Sequence, residues 1–321
     1  MSDIIGLKYE MYQSIKKRKH PNSTKKNYKK HAKYFSEFIK ERGYTANMVR
    51  KEPKKYIQEY TDHLINEKYP PTTIHTYISF ICTFFGIDME EILKPKRETH
   101  LITKSRDSDT NKQGDREENK EEFRRVVEFA RVTGIRRSEL KNLRGFNLVK
   151  DESRYLCIEI MKGKGGKYQL QRILPKDEEF VKSYFNGSTD RVFTAKEMNN
   201  KIDFHQMRNE HAREVYYHFL EEFKDPAKRE KAKKELYDRF ILYNVAYNNK
   251  AKTPAEKRNI LRKFLKGMNG TYRLRGNVKN MALEKGMPVE YDRTAIKMVS
   301  VFFLSHWRND VTVLNYLLAG K

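Results

Sequence analysis

Two cysteines in 321 residues leave little scope for covalent cross-linking. Cys82 and Cys157 lie far apart in apolar runs without metal-type spacing. Buried thiols in a reducing interior are therefore expected, rather than a disulfide framework or a zinc site. No apolar stretch approaches the ~20 residues of a transmembrane helix. The opening "MSDIIGLKYEMYQSIKKRKH" also lacks the apolar core of a signal peptide. A soluble, cytoplasmic protein with no membrane partner is the expectation. Carboxylates are scarce too: 43 Asp+Glu face 67 Lys+Arg, for a formal net charge of +24. Such an excess attracts polyanions, and nucleic acid is the most economical candidate. No internal repeat is apparent.

Hydrophobic residues make up 38% of the chain and aromatics 12%, enough for two domains with real cores and against a disordered protein. In "STKKNYKKHAKYFSEFIKERG", Tyr28, Ala32, Phe35 and Ile39 follow at helical steps, with Lys25, Lys26, Lys29, Lys30 and Lys33 mostly off that stripe. Ser23 or Thr24 can cap this helix and Gly43 can end it. Tyr56, Ile57, Tyr60 and Leu64 repeat the scheme behind Pro53, and "TIHTYISFICTFFGI" reads as a more buried third helix. A helical domain over 21–95 follows, preceded by a basic tail over 1–20, with a net charge of about +8 over residues 1–100. Residues 96–120 are mostly polar and read as a linker.

The remainder, 121–321, is helical to Thr133-Gly134 and beyond. "RYLCIEI" and "YQLQRILP" then flank "MKGKGGK", the pattern of a β-hairpin with a Gly-rich turn. Everything after about residue 176 returns to helical patterns, so the fold class is mainly α with one small β-sheet (α+β).

Five stretches occur in order: "VTGIRRSELKNLR" (132–144), "KGKGGK" (162–167), "HQMR" (205–208), "LSHWRN" (304–309) and Tyr316. Together they resemble the active-site signatures of the tyrosine recombinase (phage integrase) family, and the N-terminal helices resemble its core-binding domain. The resemblance spans roughly residues 22–318. It implies a helical, SAM-like core-binding domain and a mixed catalytic domain closing as a clamp on double-stranded DNA. It implies a homotetramer on paired sites, exchange through a Holliday junction, and integration or excision of a mobile element with an accessory directionality factor. A bacterial, nucleoid-associated setting follows from the same likeness.

Cutting a phosphodiester without metal needs fixed cations on the nonbridging oxygens, a nucleophile, and an acid for the departing 5′ oxygen. Arginine suits the first task because its planar fork binds two phosphate oxygens while staying charged. By resemblance, Arg136 and Arg208 form that clamp and Lys164 is the acid. His205 then accepts a proton or binds phosphate, and His306 donates to the phosphate. Tyr316 attacks phosphorus to give a 3′-phosphotyrosyl link, with no metal, ATP or other cofactor. Arg137, Lys162, Lys167 and Arg308 join Lys25, Lys26, Lys29 and Lys30 as DNA-backbone contacts. His211 and His218 read as packing or surface residues.

The pattern also departs from the family. Most members place a couple of dozen residues between H-x-x-R and the second histidine, whereas His205 and His306 are 101 apart. The extra segment, about 222–285, is helical and basic, with a net charge of about +11, suited to further DNA or protomer contact or to a solvated elaboration. Few residues precede the first helix and five follow Tyr316. A separate arm-binding domain and a long C-terminal exchange helix are therefore not expected. Three alternatives stay open: a type IB topoisomerase-like or hairpin-resolvase enzyme, a non-catalytic DNA-binding protein derived from a recombinase, and a metal-dependent nuclease. The last lacks a carboxylate cluster near these motifs.

Overall fold

The computed structural model describes residues 2–98, 117–164, 166–245 and 253–318. The chain divides into two compact units, Met1–Thr103 and Lys104–Lys321, and is mainly α with small antiparallel sheets. Most of the 96–120 linker lies outside the described residues.

The first unit holds α1 (Ser2–Lys17), α2 (Asn22–Glu41), α3 (Ala46–Lys51), α4 (Pro53–Asn66) and α5 (Pro71–Phe85). Residues 1–20, read above as a tail, mostly form α1. The reason is an apolar stripe at steps of four, Leu7, Met11 and Ile15, which is fully buried in the unit's core. The cluster of lysines that ends the helix conceals this stripe in the sequence. The stripes on α2, α4 and α5 turn inward as their spacing predicts: Ala32, Phe35 and Ile39 meet Tyr56, Ile57, Tyr60, Ile74, Ile78 and Ile81. Pro53 and Pro71 open their helices, where no amide donor is needed. Helix α2 begins behind Pro21 without a side-chain cap, so neither Ser23 nor Thr24 serves as one.

The second unit opens with α6 (Glu121–Thr133) and the single turn α7 (Arg137–Leu140). A three-stranded antiparallel sheet follows, β1 (Leu148–Lys150), β2 (Leu156–Ile160) and β3 (Gln169–Arg172), in the order β1-β2-β3. The predicted hairpin is β2–β3, with Ile160 opposite Gln169. Strand β1 is three residues long, too short to show alternation. Short helices α8 (Glu178–Lys182) and α9 (Ala195–Met198) lead to the long α10 (Phe204–Glu222).

The expanded segment contains α11 (Pro226–Arg239), a π-helical turn (Phe240–Val245), α12 (Pro254–Lys266), β4 (Thr271–Arg273) and α13 (Gly276–Glu284). Strand β4 pairs with β5 (Glu290–Asp292), a second sheet where only helix was expected, again in strands of three residues. Helix α14 (Arg293–Met298) widens into a π-helical turn (Val299–Phe303). The one-turn α15 (Asn309–Thr312) widens likewise into a π-helical turn (Val313–Leu317), which carries Tyr316.

The expanded segment is part of the core rather than a surface appendage. Leu236, Phe240, Phe264, Met268 and Ala282 share one buried cluster with Phe302, Leu304, Val313 and Tyr316. It is also tied to the first sheet by buried ions. The Asp151 carboxylate, in the β1–β2 turn, accepts from Arg172 Nε and Arg239 Nη2, both at 2.6 Å. Arg172 reaches Glu235 on α11 and Arg239 reaches Glu152, while both guanidiniums lie over the Phe302 ring. Helix α10 spans two cores: Phe204 and Met207 face the sheet-side cluster, and Ala212, Val215 and Phe219 face the C-terminal one. Arg208 stands at that junction.

Candidate active site

Glycine 134 sets the first wall. Helix α6 ends there in the left-handed region (φ 60°), and the chain turns directly into Ile135 and Arg136. No other residue type fits, because a Cβ at 134 would stand 2.6 Å from His211 Cδ2. Arg136 begins α7. Its guanidinium donates to Glu139 Oε1 at 2.8 Å, and its backbone N–H donates to Glu139 Oε2 at 3.2 Å. The Glu139 side chain is 2% exposed against 20% for Arg136, so a buried carboxylate aims a cation that still reaches solvent.

The hairpin turn is held against the same group. The Gly163 N–H donates to the Lys167 carbonyl at 2.8 Å and the Gly166 N–H to the Gly163 carbonyl at 2.9 Å, closing the tip. Gly163 lies hard against the buried Gln169 amide, so no side chain fits at 163. Gln169 in turn sits 3.5 Å from both Arg136 Nη1 and Glu139 Oε1. These contacts fix the tip that carries the exposed Lys164 beside Arg136. Lys162 and Lys167 are exposed on the same tip and line no part of the cleft.

The third wall is the start of α10. Asp203 caps it, accepting from the backbone N–H groups of His205 and Gln206. Arg208, one turn in, is 1% exposed. Its Nη1 donates to the Gly134 carbonyl, its Nη2 to the Leu304 carbonyl at 2.7 Å, and its Nε to the Tyr316 hydroxyl at 3.3 Å. Burial shifts the guanidinium pKa downward, opposed by the Tyr316 hydroxyl. His211, one turn further along, is buried beneath Gly134, and burial then Arg208 hold its imidazole neutral, with a pKa near 3.

The "LSHWRN" stretch forms the fourth wall. Ser305 (φ 50°) and Trp307 (φ 66°) both adopt left-handed backbone, costly for these residue types, and they flank His306. The amides of His306 and Trp307 both donate to the Ser300 carbonyl, at 2.9 and 3.1 Å. From the side, Lys297 Nζ donates to the Trp307 carbonyl (3.2 Å) and Asn309 Nδ2 to the Gly267 carbonyl (2.8 Å). His306 Nδ1 accepts from the Arg308 N–H at 3.2 Å, which leaves Nε2 as the protonated nitrogen. Nε2 is buried, without a hydrogen-bond partner among the described residues. Burial first, then Arg208 and Arg136, lower the imidazole pKa to about 3.

Tyr316 closes the assembly. Its ring stacks on His306 (5.6 Å, 14°) and meets His205 edge-on (5.3 Å, 86°), and the residue is 6% exposed. A cleft of about 420 Å³ lies in front of it. Its walls are Arg136, Arg137, Lys164, His205, Arg208 and Tyr316, with Ile202, Asp203 and Phe204. Four cations face one carboxylate, an arrangement suited to an anion with several oxygens. Among the described residues no group of three or more His, Cys, Asp or Glu side chains is placed to hold a metal ion. No described helix is long and apolar enough to cross a membrane.

Thus Arg136, Lys164, His205, Arg208 and Tyr316 converge on one cleft, with His306 stacked behind the tyrosine. The candidate DNA contacts are more dispersed. Arg137 lines the cleft, but its guanidinium donates to the Met198, Asn200 and Ile202 carbonyls, bracing the loop before α10. Arg308 pairs with Asp310 at 2.6 Å. In the first unit, Lys25 donates to the Lys16 carbonyl and Lys29 lies over Tyr12, both against α1. Lys26 and Lys30 are exposed, the latter over Tyr34. Sequence reading missed Glu139, Gln169, Gly134 and Lys297 as parts of this site, whereas His211 is the packing residue it was read as. Only Gly134 and Glu139 carry a local signal, the turn and the one-turn spacing from Arg136.

No protein-family model matches this chain. No curated protein matches it either. Among solved structures it is similar to one titled "Crystal structure of XerA recombinase", at 17% identity over 66% of this chain and 84% of that one, with a TM-score of 0.23. At that score the likeness carries no weight, and the functional reading rests on the cleft's own residues.

Proposed function

We propose that this protein is a tyrosine-type DNA strand transferase, a site-specific recombinase that moves a mobile element. The observation that carries the reading is the convergence of Arg136, Lys164, His205 and Arg208 on the hydroxyl face of Tyr316. In this reading Arg136 and Arg208 neutralise the nonbridging oxygens of one phosphodiester. His306, a neutral Nε2–H donor stacked behind Tyr316, would add a hydrogen bond to the same phosphate once DNA binding uncovers that nitrogen. The Tyr316 oxygen attacks phosphorus, its proton passing to His205. The bond to the 5′ oxygen breaks as Lys164 protonates that oxygen, leaving a 3′-phosphotyrosyl link and a free 5′-hydroxyl. Attack by the 5′-hydroxyl of a second strand reverses the step without an external energy source.

Arg208 already donates to the Tyr316 hydroxyl, so a phosphate bound there meets its nucleophile within hydrogen-bond reach. Because Tyr316 stands in its own chain's cleft, cleavage in cis is the arrangement we favour. The first unit would supply DNA binding and the second the chemistry, with four copies acting on two sites.

Covalent capture tests this. The protein and its Tyr316→Phe variant are expressed with the native genetic neighbourhood, cells are lysed in SDS, and attached DNA is sequenced. Adducts at a few positions, absent from the variant, are expected. DNA occupancy with no adduct from either protein refutes the catalytic reading and favours a binding module.

A further inference from the structure

The expanded segment carries two basic helices that treat their charges differently. On α11 many charges are paired: Lys228 with Glu222, Arg229 with Asp292, Lys233 with Glu230, and Arg239 with Asp151 and Glu152. On α12, Arg258, Arg262, Lys263 and Lys266 are exposed, and no described carboxylate lies within ion-pair distance of them. Arg258, Arg262 and Lys266 follow at i, i+4 and i+8, with Lys263 beside them. They form one stripe about 12 Å long. The only carboxylate of α12, Glu256, is taken up in the capping box at its start. Four like charges on one helix face repel one another, a cost that an unpartnered surface gains nothing from.

The stripe is also rigidly mounted. Phe264, on the opposite face of α12, stacks on Phe240 (4.1 Å, 20°) and packs near Trp307 (6.1 Å). Just past the helix end, the Gly267 carbonyl is held by Asn309. Helix α12 is therefore fastened to the stretch that carries His306.

We propose that the α12 stripe is a second DNA-backbone contact, gripping phosphates of the duplex whose scissile phosphate enters the cleft. This rests on the strand-transferase reading above. Twelve ångströms of duplex axis carry about seven phosphate charges, ample for four cations.

The test uses full-length protein carrying Tyr316→Phe, so that binding is read without cleavage, and a random-sequence duplex of a few helical turns. Arg258, Arg262 and Lys266 are changed together to Gln, which preserves helix propensity. The slope of log K against log salt should fall by about 2.7, at 0.9 per lost phosphate contact. An equal removal of charge among the paired residues of α11, at Lys228, Arg229 and Lys233, should change it by less than one. An unchanged slope in the α12 variant, with an unfolding midpoint equal to the parent's, overturns the proposal. So does an equal fall in the α11 variant, which would reflect net charge alone. Separately, if wild-type protein forms no Tyr316 adducts yet the α12 variant loses slope, the grip stands and the chemistry fails.

Discussion

Lys297 gives the sharpest test of the architecture behind the cleft. The residue is 6% exposed, its ammonium lies 4.8 Å from the centroid of the Phe264 ring, and among the described residues its one hydrogen-bond acceptor is the Trp307 carbonyl. Burial lowers its pKa from the ordinary 10.5 to about 8; of the charges facing it, Asp310 opposes that shift and Arg293 adds to it. Between those two values the unfolded chain binds more protons than the folded one, so stability rises with pH across the window. At pH 7 the buried charge costs about 3 kcal/mol. Lys297→Met removes that cost but leaves the Trp307 carbonyl without its donor, a loss of about 1–2 kcal/mol. The variant should therefore be more stable than wild type by about 1–2 kcal/mol at pH 7. Its advantage should shrink by about 2.5 kcal/mol by pH 10 and change sign. Urea midpoints of both proteins across this range, at constant ionic strength, give the difference directly, since titrations elsewhere cancel. A difference that stays constant with pH, or grows, refutes the assignment of Lys297 as a buried ammonium. In the recombinase reading the same variant should give fewer covalent adducts at pH 7 despite its stability, because the left-handed Trp307 backbone loses its tether.

Two further outcomes follow from buried groups. Asp151→Asn removes the charge that the buried Arg172 and Arg239 guanidiniums share, so it should cost about 3–5 kcal/mol in denaturant unfolding; a loss below about 1 kcal/mol would mean that the network is hydrated rather than buried. His211 lies buried with neither ring nitrogen hydrogen-bonded among the described residues, and its pKa is lowered from 6.5 to about 3. The unfolded chain binds the extra proton between those values, so stability is lost as pH falls below 6.5, by about 2 kcal/mol at pH 5 from this group. His211→Leu should flatten that acid limb, and a variant that declines with acid as wild type does would refute it.

What the sequence reveals here depends on distance along the chain. The stripes of α2, α4 and α5 are written at helical spacing, and their residues fill the core as read. Arg136, Lys164, His205, Arg208, His306 and Tyr316 each stand in a short local pattern, so each is visible one at a time. What aims them is not. Glu139 meets Gln169 across 30 residues and Arg208 holds Leu304 across 96. Lys297 reaches Trp307 only because the π-helical turn and two left-handed residues fold the chain back. The partners of Arg137 are backbone carbonyls, which every residue has, so no side-chain pattern announces them. Strands β1, β4 and β5 run three residues each, less than two periods of alternation.

Arg208 shows why these layers must be separated before chemistry is inferred from mutants. Its guanidinium joins the carbonyl ending α6, the carbonyl before His306 and the Tyr316 hydroxyl, at the junction of the two cores. Truncating it would strand two buried carbonyls and leave a void under Gly134, so lost activity in such a variant reports folding as much as phosphate binding. Tyr316 is the opposite case. Its ring fills the space between His205 and His306, and phenylalanine fills it equally; among the described residues its hydroxyl has one hydrogen bond, 3.3 Å from Arg208 Nε. Removing that oxygen leaves the packing intact and takes away only what could attack phosphorus. The proposed role of Tyr316 can thus be tested apart from its structural one, which Arg208 does not allow.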